Sequence, residues 1–263
     1  MANNSKLYFI SDAHLGSGDD SREREVALCR LLDLMKADAV RLVLLGDMFD
    51  FWFSYKHVVP RGHVRLLGKL AELADAGVEI HYYIGNHDMW MFDYLEKEFG
   101  VVMHSEPDMM EFDGKRFLVG HGDGLGDFDP GYDRMKRVFR NRLCQRLFSC
   151  VSPNITFPIA MRWSENNKRK HIREGLMDYL GEDREGIVRY LKQRLQLDNA
   201  DYCVFGHRHT PIDKVIDIGN GCKVQYVNAG DWLYHRTYTV YADGELLLKE
   251  FVWNGTYPMI LDS

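Results

Sequence analysis

Cysteine is scarce in this chain: Cys29, Cys144, Cys150, Cys203 and Cys222 are five in 263 residues, an odd number with no C-x-x-C spacing. That excludes both a disulfide framework and a zinc knuckle, and the thiols are read as reduced. Long apolar runs are also missing. No stretch approaches the roughly 18 apolar residues of a membrane span, and MANNSKLYFISD holds no apolar signal core before the first strand. The expectation is a cytoplasmic chain, or one attached to a membrane only from its surface. There is no internal repeat and no low-complexity linker. What remains, 46% hydrophobic and 27% charged with long periodic segments, is globular. Its length suits one large α/β domain or a core with a substantial insertion.

The stretch LVLLGDMFDFW, Leu42 to Trp52, is central. Four apolar residues read as a buried strand that stops at Gly46, and Asp47 follows where the backbone turns out of the sheet. Four other strand-like runs, YFISDAH, YYIGNHD, FLVGHGD and CVFGHRH, also end in metal-binding side chains. The simplest common explanation is a two-metal site with Asp47 as the bridging ligand. Side chains two apart in an extended segment point the same way, so Asp12 and His14 can share an ion, as can His207 and His209. Helical spacing predicts helices over about 20–36, 63–76 and 183–197, with Asp and Ser suited to capping the first and Gly77 ending the second. Strands are expected at 7–10, 42–45, 79–84, 116–119, 202–205 and 224–227, then a hairpin around Asp243 and Gly244. Strands alternating with helices predict an α/β core with ligands at the carboxyl ends of the strands.

The segment 128–181 breaks this pattern. From Arg134 to Arg173 eleven basic residues face one acid, Glu165, a balance of +10, so the rest of a chain of net charge −6 sums to −16. The segment is rich in large apolar residues as well, among them Phe139, Leu147, Ile155, Ile159 and Trp163. It suits a ligand anionic at one end and greasy at the other, or an anionic membrane. It is expected to be a helical lid inserted between core segments 1–127 and 182–263.

The motifs D-x-H, G-D-x-x-D, G-N-H-D, G-H-G-D and G-H-x-H, in this order from Asp12 to His209, resemble the calcineurin-like metallophosphoesterase family. The resemblance implies a four-layer α/β sandwich of two sheets flanked by helices. It implies that Asp12, His14, Asp47 and His209 hold one ion, and Asp47, Asn86, His121 and His207 the other. Two divalent ions about 3.5 to 4 Å apart can bind a phosphoryl oxygen, lower the pKa of a water and stabilise the charge of in-line attack. The ligand types, without thiolate, suit Mn, Fe or Zn better than a soft metal, and among these the resemblance implies Mn. His87, adjacent to Asn86, is the expected general acid or phosphate-stabilising group, with Asp88 orienting its ring.

Within the family the pattern is similar to the pyrophosphatases of lipid A biosynthesis, through Trp52 after G-D-M-F-D-F, the run from His121 to Asp129, Q-R-L-F, W-S-E-N-N-K and G-H-R-H-T-P. Those enzymes cleave UDP-2,3-diacylglucosamine, an acylated UDP-sugar, and usually carry Arg where this chain has His87. The resemblance implies a peripheral enzyme on the cytosolic face of the inner membrane. Trp52, Asp129, Arg162, Asn166, Asn167, Lys168 and Lys170 are the expected substrate contacts. Asp50 and Asp123, like Asp88, are expected to be hydrogen-bond partners behind the ligands. His57, His63, His81, His104, His171 and His235 are read as ordinary surface or core histidines. A hydrolase of soluble nucleotide or nucleic-acid diesters is the alternative function. A binding scaffold is disfavoured because no ligand position is lost.

Overall fold

The structure, a computed structural model, describes residues 5–126, 130–173, 178–196, 198–219 and 221–253, without the side chains of 169–173. Asp129 and the side chains of Lys170 and His171 therefore lie outside the described residues. Strands β1 (Lys6–Ile10), β2 (Ala39–Leu44), β3 (Glu79–Tyr83) and β4 (Val102–His104) run parallel. The antiparallel hairpin of β10 (Thr237–Ala242) and β11 (Glu245–Glu250) adds to β1, giving the order β11-β10-β1-β2-β3-β4. The second sheet has the order β5-β6-β7-β9-β8. There β6 (Lys115–Gly120), β7 (Tyr202–Phe205) and β9 (Cys222–Ala229) are parallel, and the edges β5 (Asp108–Phe112) and β8 (Pro211–Gly219) antiparallel.

Alternation along β1 shows how the layers form. Leu7 and Phe9 join Val43, Phe117, Val204 and Val227 between the sheets. Tyr8 and Ile10 face the other way, toward Leu28, Leu31 and Leu32 of α1 (Ser21–Met35) and Leu66 and Leu70 of α2 (Val64–Asp75). On the far side of the second sheet, Ile187, Val188 and Leu191 of α7 (Gly186–Arg194) cover Leu118, Cys203 and Tyr226. A period of two on the strands and of three or four on the helices thus yields helix, sheet, sheet, helix. The parallel strands β1, β2, β3, β6, β7 and β9 bring their carboxyl ends to one rim.

Between β6 and β7 lie α4 (Pro130–Phe139), α5 (Arg142–Ser149) and α6 (Pro153–Arg173). Asn141 caps α5 by accepting from the backbone N–H of Leu143 (2.9 Å) and Cys144 (3.2 Å). These helices rest on an aromatic layer in which Phe51 meets Phe157 at 4.8 Å and Trp90 meets Phe148 at 4.7 Å. Their other faces leave Leu143, Leu147, Val151, Ile155 and Ile159 exposed.

Several expectations shift. Strands β4, β5 and β8 were not read from the sequence, and α7 is shorter than the span 183–197. In β8, Ile212 and Ile216 are buried but Lys214, on the same face, lies over the Tyr179 ring at 4.9 Å, which hides the alternation. Asp20 does not cap α1 with its side chain; its carboxylate binds Arg24 at 2.7 Å instead. The cysteines are all free, as expected.

Candidate metal centre

Each motif sits just past a strand end, and the backbone there is bent in an unusual way. Of the ten non-glycine residues with positive φ among the described residues, five are Asp12, His14, Asp47, His207 and His209. A left-handed backbone costs a non-glycine residue free energy and persists where surrounding structure demands it, most often at functional sites. Two glycines admit this crowding. A Cβ on Gly85 would collide with the Asp47 carboxylate, and one on Gly206 with Ser11 and Asp12.

The side chains converge. His209 Nε2 lies 3.4 Å and His14 Nε2 3.7 Å from Asp12 Oδ1, and the two ring nitrogens are 3.2 Å apart. Asp47 Oδ2 is 3.8 Å from His14 Nε2 and 3.4 Å from His121 Nε2, between the two groups. Asn86 Oδ1 is 3.3 Å from His121 Nε2. Asp12, His14 and His209 form one cluster whose ligand atoms lie within 4.8 Å of one another, and Asp47, His121 and His207 form another. A third group of that kind, His14, Asp50 and His87, is filled from within: Asp50 Oδ1 takes His14 Nδ1 at 3.0 Å, Ser164 Oγ at 3.0 Å and the Lys168 ammonium.

Hydrogen bonds behind the rings set their tautomers. His14 Nδ1 donates to Asp50, His209 Nδ1 to Asp231 Oδ2 at 3.1 Å, and His121 Nδ1 to the Leu45 carbonyl at 2.7 Å. The Nε2 atoms of these three rings then face inward. Asp12 Oδ1 is buried with no hydrogen-bond partner. Lone pairs and an orphaned carboxylate oxygen facing each other away from water fit a cation between them. Burial would raise the Asp12 carboxyl, but His209 and His14 hold it at about 2. Burial and the neighbouring His121 hold the His207 imidazole down to about 3.

His87 lies above this floor. Its backbone N–H donates to Asp47 Oδ1 (2.8 Å), its Nδ1 donates to the Asp50 carbonyl (3.0 Å), and its Nε2 is 4.0 Å from Asp47 Oδ2. Asp88 does not orient this ring. It takes the N–H groups of Met48 (3.0 Å) and Gly85 (2.9 Å) and the Tyr82 hydroxyl, and so fixes the loops. The carbonyl of Asp50 and the hydroxyl of Ser164, 3.3 Å from Nδ1, hold the ring instead. Asp123, beside His121, is held by Lys136 (2.7 Å) and Tyr132 (2.6 Å) of α4.

Of the expected substrate contacts, Lys168 reaches the floor through Asp50 and Ser17. Arg162, Asn166 and Asn167 are exposed on α6. Trp52 is a correction: it is fully buried, bonds Ser54 through its indole N–H at 2.9 Å and packs on Phe49, because the turn after Asp50 returns it to the core. Three residues without a role in the sequence reading matter here. Ser164 and Asp231 are described above. Arg24 grips the carbonyls of Ala13 (2.8 Å), His14 (3.2 Å) and Ser17 (2.6 Å), fixing the loop that carries Asp12 and His14. Only Asp231 left a signal, a Gly-Asp pair after a strand like that of Gly46 and Asp47.

The profile of the calcineurin-like phosphoesterase family matches residues 5–211. The chain belongs to that family. It is a metal-dependent hydrolase, with the two-sheet α/β fold expected of one. A relative in Porphyromonas gingivalis named UDP-2,3-diacylglucosamine hydrolase is 38% identical over 259 residues, covering 94% of this chain and 97% of the relative. One of the same name in Proteus mirabilis is 29% identical, covering 80% and 84%. Among solved structures, the phosphoesterase Yfce of E. coli is 14% identical with a TM-score of 0.43, covering 94% of this chain and all of that one.

Proposed function

We propose that this phosphoesterase hydrolyses the pyrophosphate of UDP-2,3-diacylglucosamine to UMP and 2,3-diacylglucosamine 1-phosphate, in lipid A biosynthesis. The observation that carries this substrate is α6. From one helix, Ser164 and Lys168 reach down to the catalytic floor while Ile155, Ile159 and Trp163 stay exposed. Such a helix suits one ligand with a diphosphate at one end and acyl chains at the other. The full-length likeness to relatives that carry this substrate in their name supports the same reading.

Asp12, His14 and His209, with Asp47, are the residues that would hold one divalent cation, and Asp47, Asn86, His121 and His207 the other. Nitrogen and oxygen donors without thiolate suit Mn, Fe or Zn, and Mn is the cation proposed. Such cations supply positive charge to phosphoryl oxygens and bring the pKa of water toward neutrality. Asp47 sets the spacing of the two clusters. Burial lowers the His87 imidazole, so it waits neutral with Nδ1–H on the Asp50 carbonyl. An arriving diphosphate favours its protonation by charge, and Nε2 then gives that proton to the departing phosphate oxygen. Lys168 meets the phosphates, and the exposed Arg162, Asn166 and Asn167 the sugar. The apolar lid face, flanked by exposed Arg142 and Arg146, supports a peripheral position on the cytosolic surface of the inner membrane.

Full-length protein supplied with Mn2+ should release UMP from UDP-2,3-diacylglucosamine in mixed micelles. Turnover of soluble nucleotide diesters without release of UMP from the acylated sugar nucleotide would overturn the assignment.

A further inference from the structure

We propose that Asp231 is a positioning residue for His209 and that, together with Asp50 behind His14, it makes the Asp12–His14–His209 cluster the first and tighter of two cation sites. This deepens the two-cation reading above and rests on it. Asp231 is fully buried. Its Oδ1 takes the backbone N–H of Tyr234 (3.0 Å) and His235 (3.1 Å) and the His235 ring Nδ1 (3.0 Å), leaving Oδ2 for His209 Nδ1 at 3.1 Å. The next residue, Trp232, donates its N–H to the Asp12 carbonyl at 3.1 Å. The segment that holds His209 from behind is thus tied to the carboxylate it faces.

The two clusters are not equivalent. In the Asp12 cluster both imidazoles have a buried carboxylate on Nδ1, at 3.0 Å for His14 and 3.1 Å for His209. A carboxylate behind an imidazole fixes its tautomer and raises the basicity of the opposite nitrogen. Asp12 Oδ2 is used by the His207 N–H at 2.8 Å and by Ser11, which fixes the carboxylate plane, while Oδ1 is left free toward the rings. In the Asp47 cluster, His121 has only a neutral carbonyl behind it, that of Leu45 at 2.7 Å. His207 has no ion pair to a carboxylate among the described residues. Asp47 already gives Oδ1 to the His87 N–H at 2.8 Å. The Asp12 cluster is therefore the more completely organised of the two before any cation arrives.

The test is Mn2+ binding to the metal-stripped full-length protein, followed by calorimetry and by electron paramagnetic resonance. Two resolved steps are expected, the first weakened about 10–100-fold by Asp231→Asn and the second much less. In that variant the amide can turn its N–H toward His209 Nδ1 and reverse the tautomer, whereas His235→Ala keeps the carboxylate and should leave the first step nearly unchanged. If Asp231→Asn does not fold, unaltered crystals exposed to one equivalent of Mn2+ decide by anomalous scattering. A peak among Asp12, His14 and His209 is expected. Equal occupancy, or a peak among Asp47, His121 and His207, overturns the order of loading alone. No Mn2+ at either cluster overturns it together with the two-cation reading.

Discussion

At the level of single residues, the candidate site was legible where chemistry and chain position coincide. Asp12, Asp47, Asn86, His121 and His207 each fall within a few residues of a strand end, so a motif is also a location. Arg24 was not legible, because in S-R-E-R-E-V it reads as one charge among several on a solvated face. Only the fold brings the carbonyls of Ala13, His14 and Ser17 to its guanidinium. Trp52 erred in the opposite direction, since an aromatic next to a motif says nothing about which way it turns. Two substitutions separate the roles at this scale. Asp47→Ala removes the carboxylate that faces both clusters; a site of this kind supplies several kcal/mol to the transition state, so activity should fall on the order of a thousandfold or more. Near-normal kcat/KM in a folded Asp47→Ala protein would remove the site from consideration. His87→Ala should slow turnover by roughly a hundred to ten thousandfold while Mn2+ content, measured by elemental analysis, stays at the unaltered level. Loss of bound Mn2+ in that variant would show that His87 is a ligand.

Secondary-structure elements were readable where one face meets the core and unreadable where a second element supplies the missing half. The leucine stripe of α2 announced the helix, yet nothing local announced its start: His63 is left-handed and offers no side-chain cap. The cap comes from α1, whose Glu25 accepts the N–H groups of Arg65 and Leu66, each at 3.1 Å. Glu25→Ala should therefore cost about 0.5–2 kcal/mol, the usual value of a helix cap, visible as a lower urea midpoint with unchanged slope. An unchanged midpoint would mean that the contact contributes nothing. The edge strand β4 was hidden because it is short, and its His104 is satisfied by His81 (2.8 Å) and Asp108 (2.7 Å) rather than by apolar packing. Burial lowers the His81 imidazole, against the pull of Glu79. The folded protein therefore binds that proton less readily than the unfolded chain, and stability falls as pH drops below the unfolded value of roughly 6.5. Thermal midpoints between pH 7.5 and 5.5 should decline less steeply in His81→Gln than in the unaltered protein, and equal slopes would assign the decline to other groups.

For the whole molecule, the alternation of strands and helices revealed the layers, and the charge count singled out the inserted helices, but neither revealed how the insertion is divided. One side is tied down, through Lys168 on Asp50, Lys136 on Asp123 and Arg140 on Glu106. The other is apolar and basic: Leu143, Leu147, Val151, Ile155 and Ile159 are exposed, as are Arg134, Arg137, Arg142, Arg146 and Arg162, which form no ion pair among the described residues. No helix is long and apolar enough to cross a bilayer among the described residues, and the contact proposed for this face is one with the lipid surface. Burying a leucine or isoleucine in the interface contributes about 1.5–3 kcal/mol, and each arginine near an anionic surface about 1 kcal/mol more. Leu147→Asp or Ile155→Asp exchanges exposed apolar surface for charge and touches no core contact, so stability should change by less than about 0.5 kcal/mol. Flotation with vesicles containing anionic lipid should show binding weakened roughly tenfold or more in each variant. For the unaltered protein, binding should also weaken as salt rises, because the arginine contribution is screened within about 8 Å at physiological ionic strength. Vesicle binding unaffected by either aspartate and by salt would mean that the lid face does not meet the membrane, while leaving the hydrolytic site where it is.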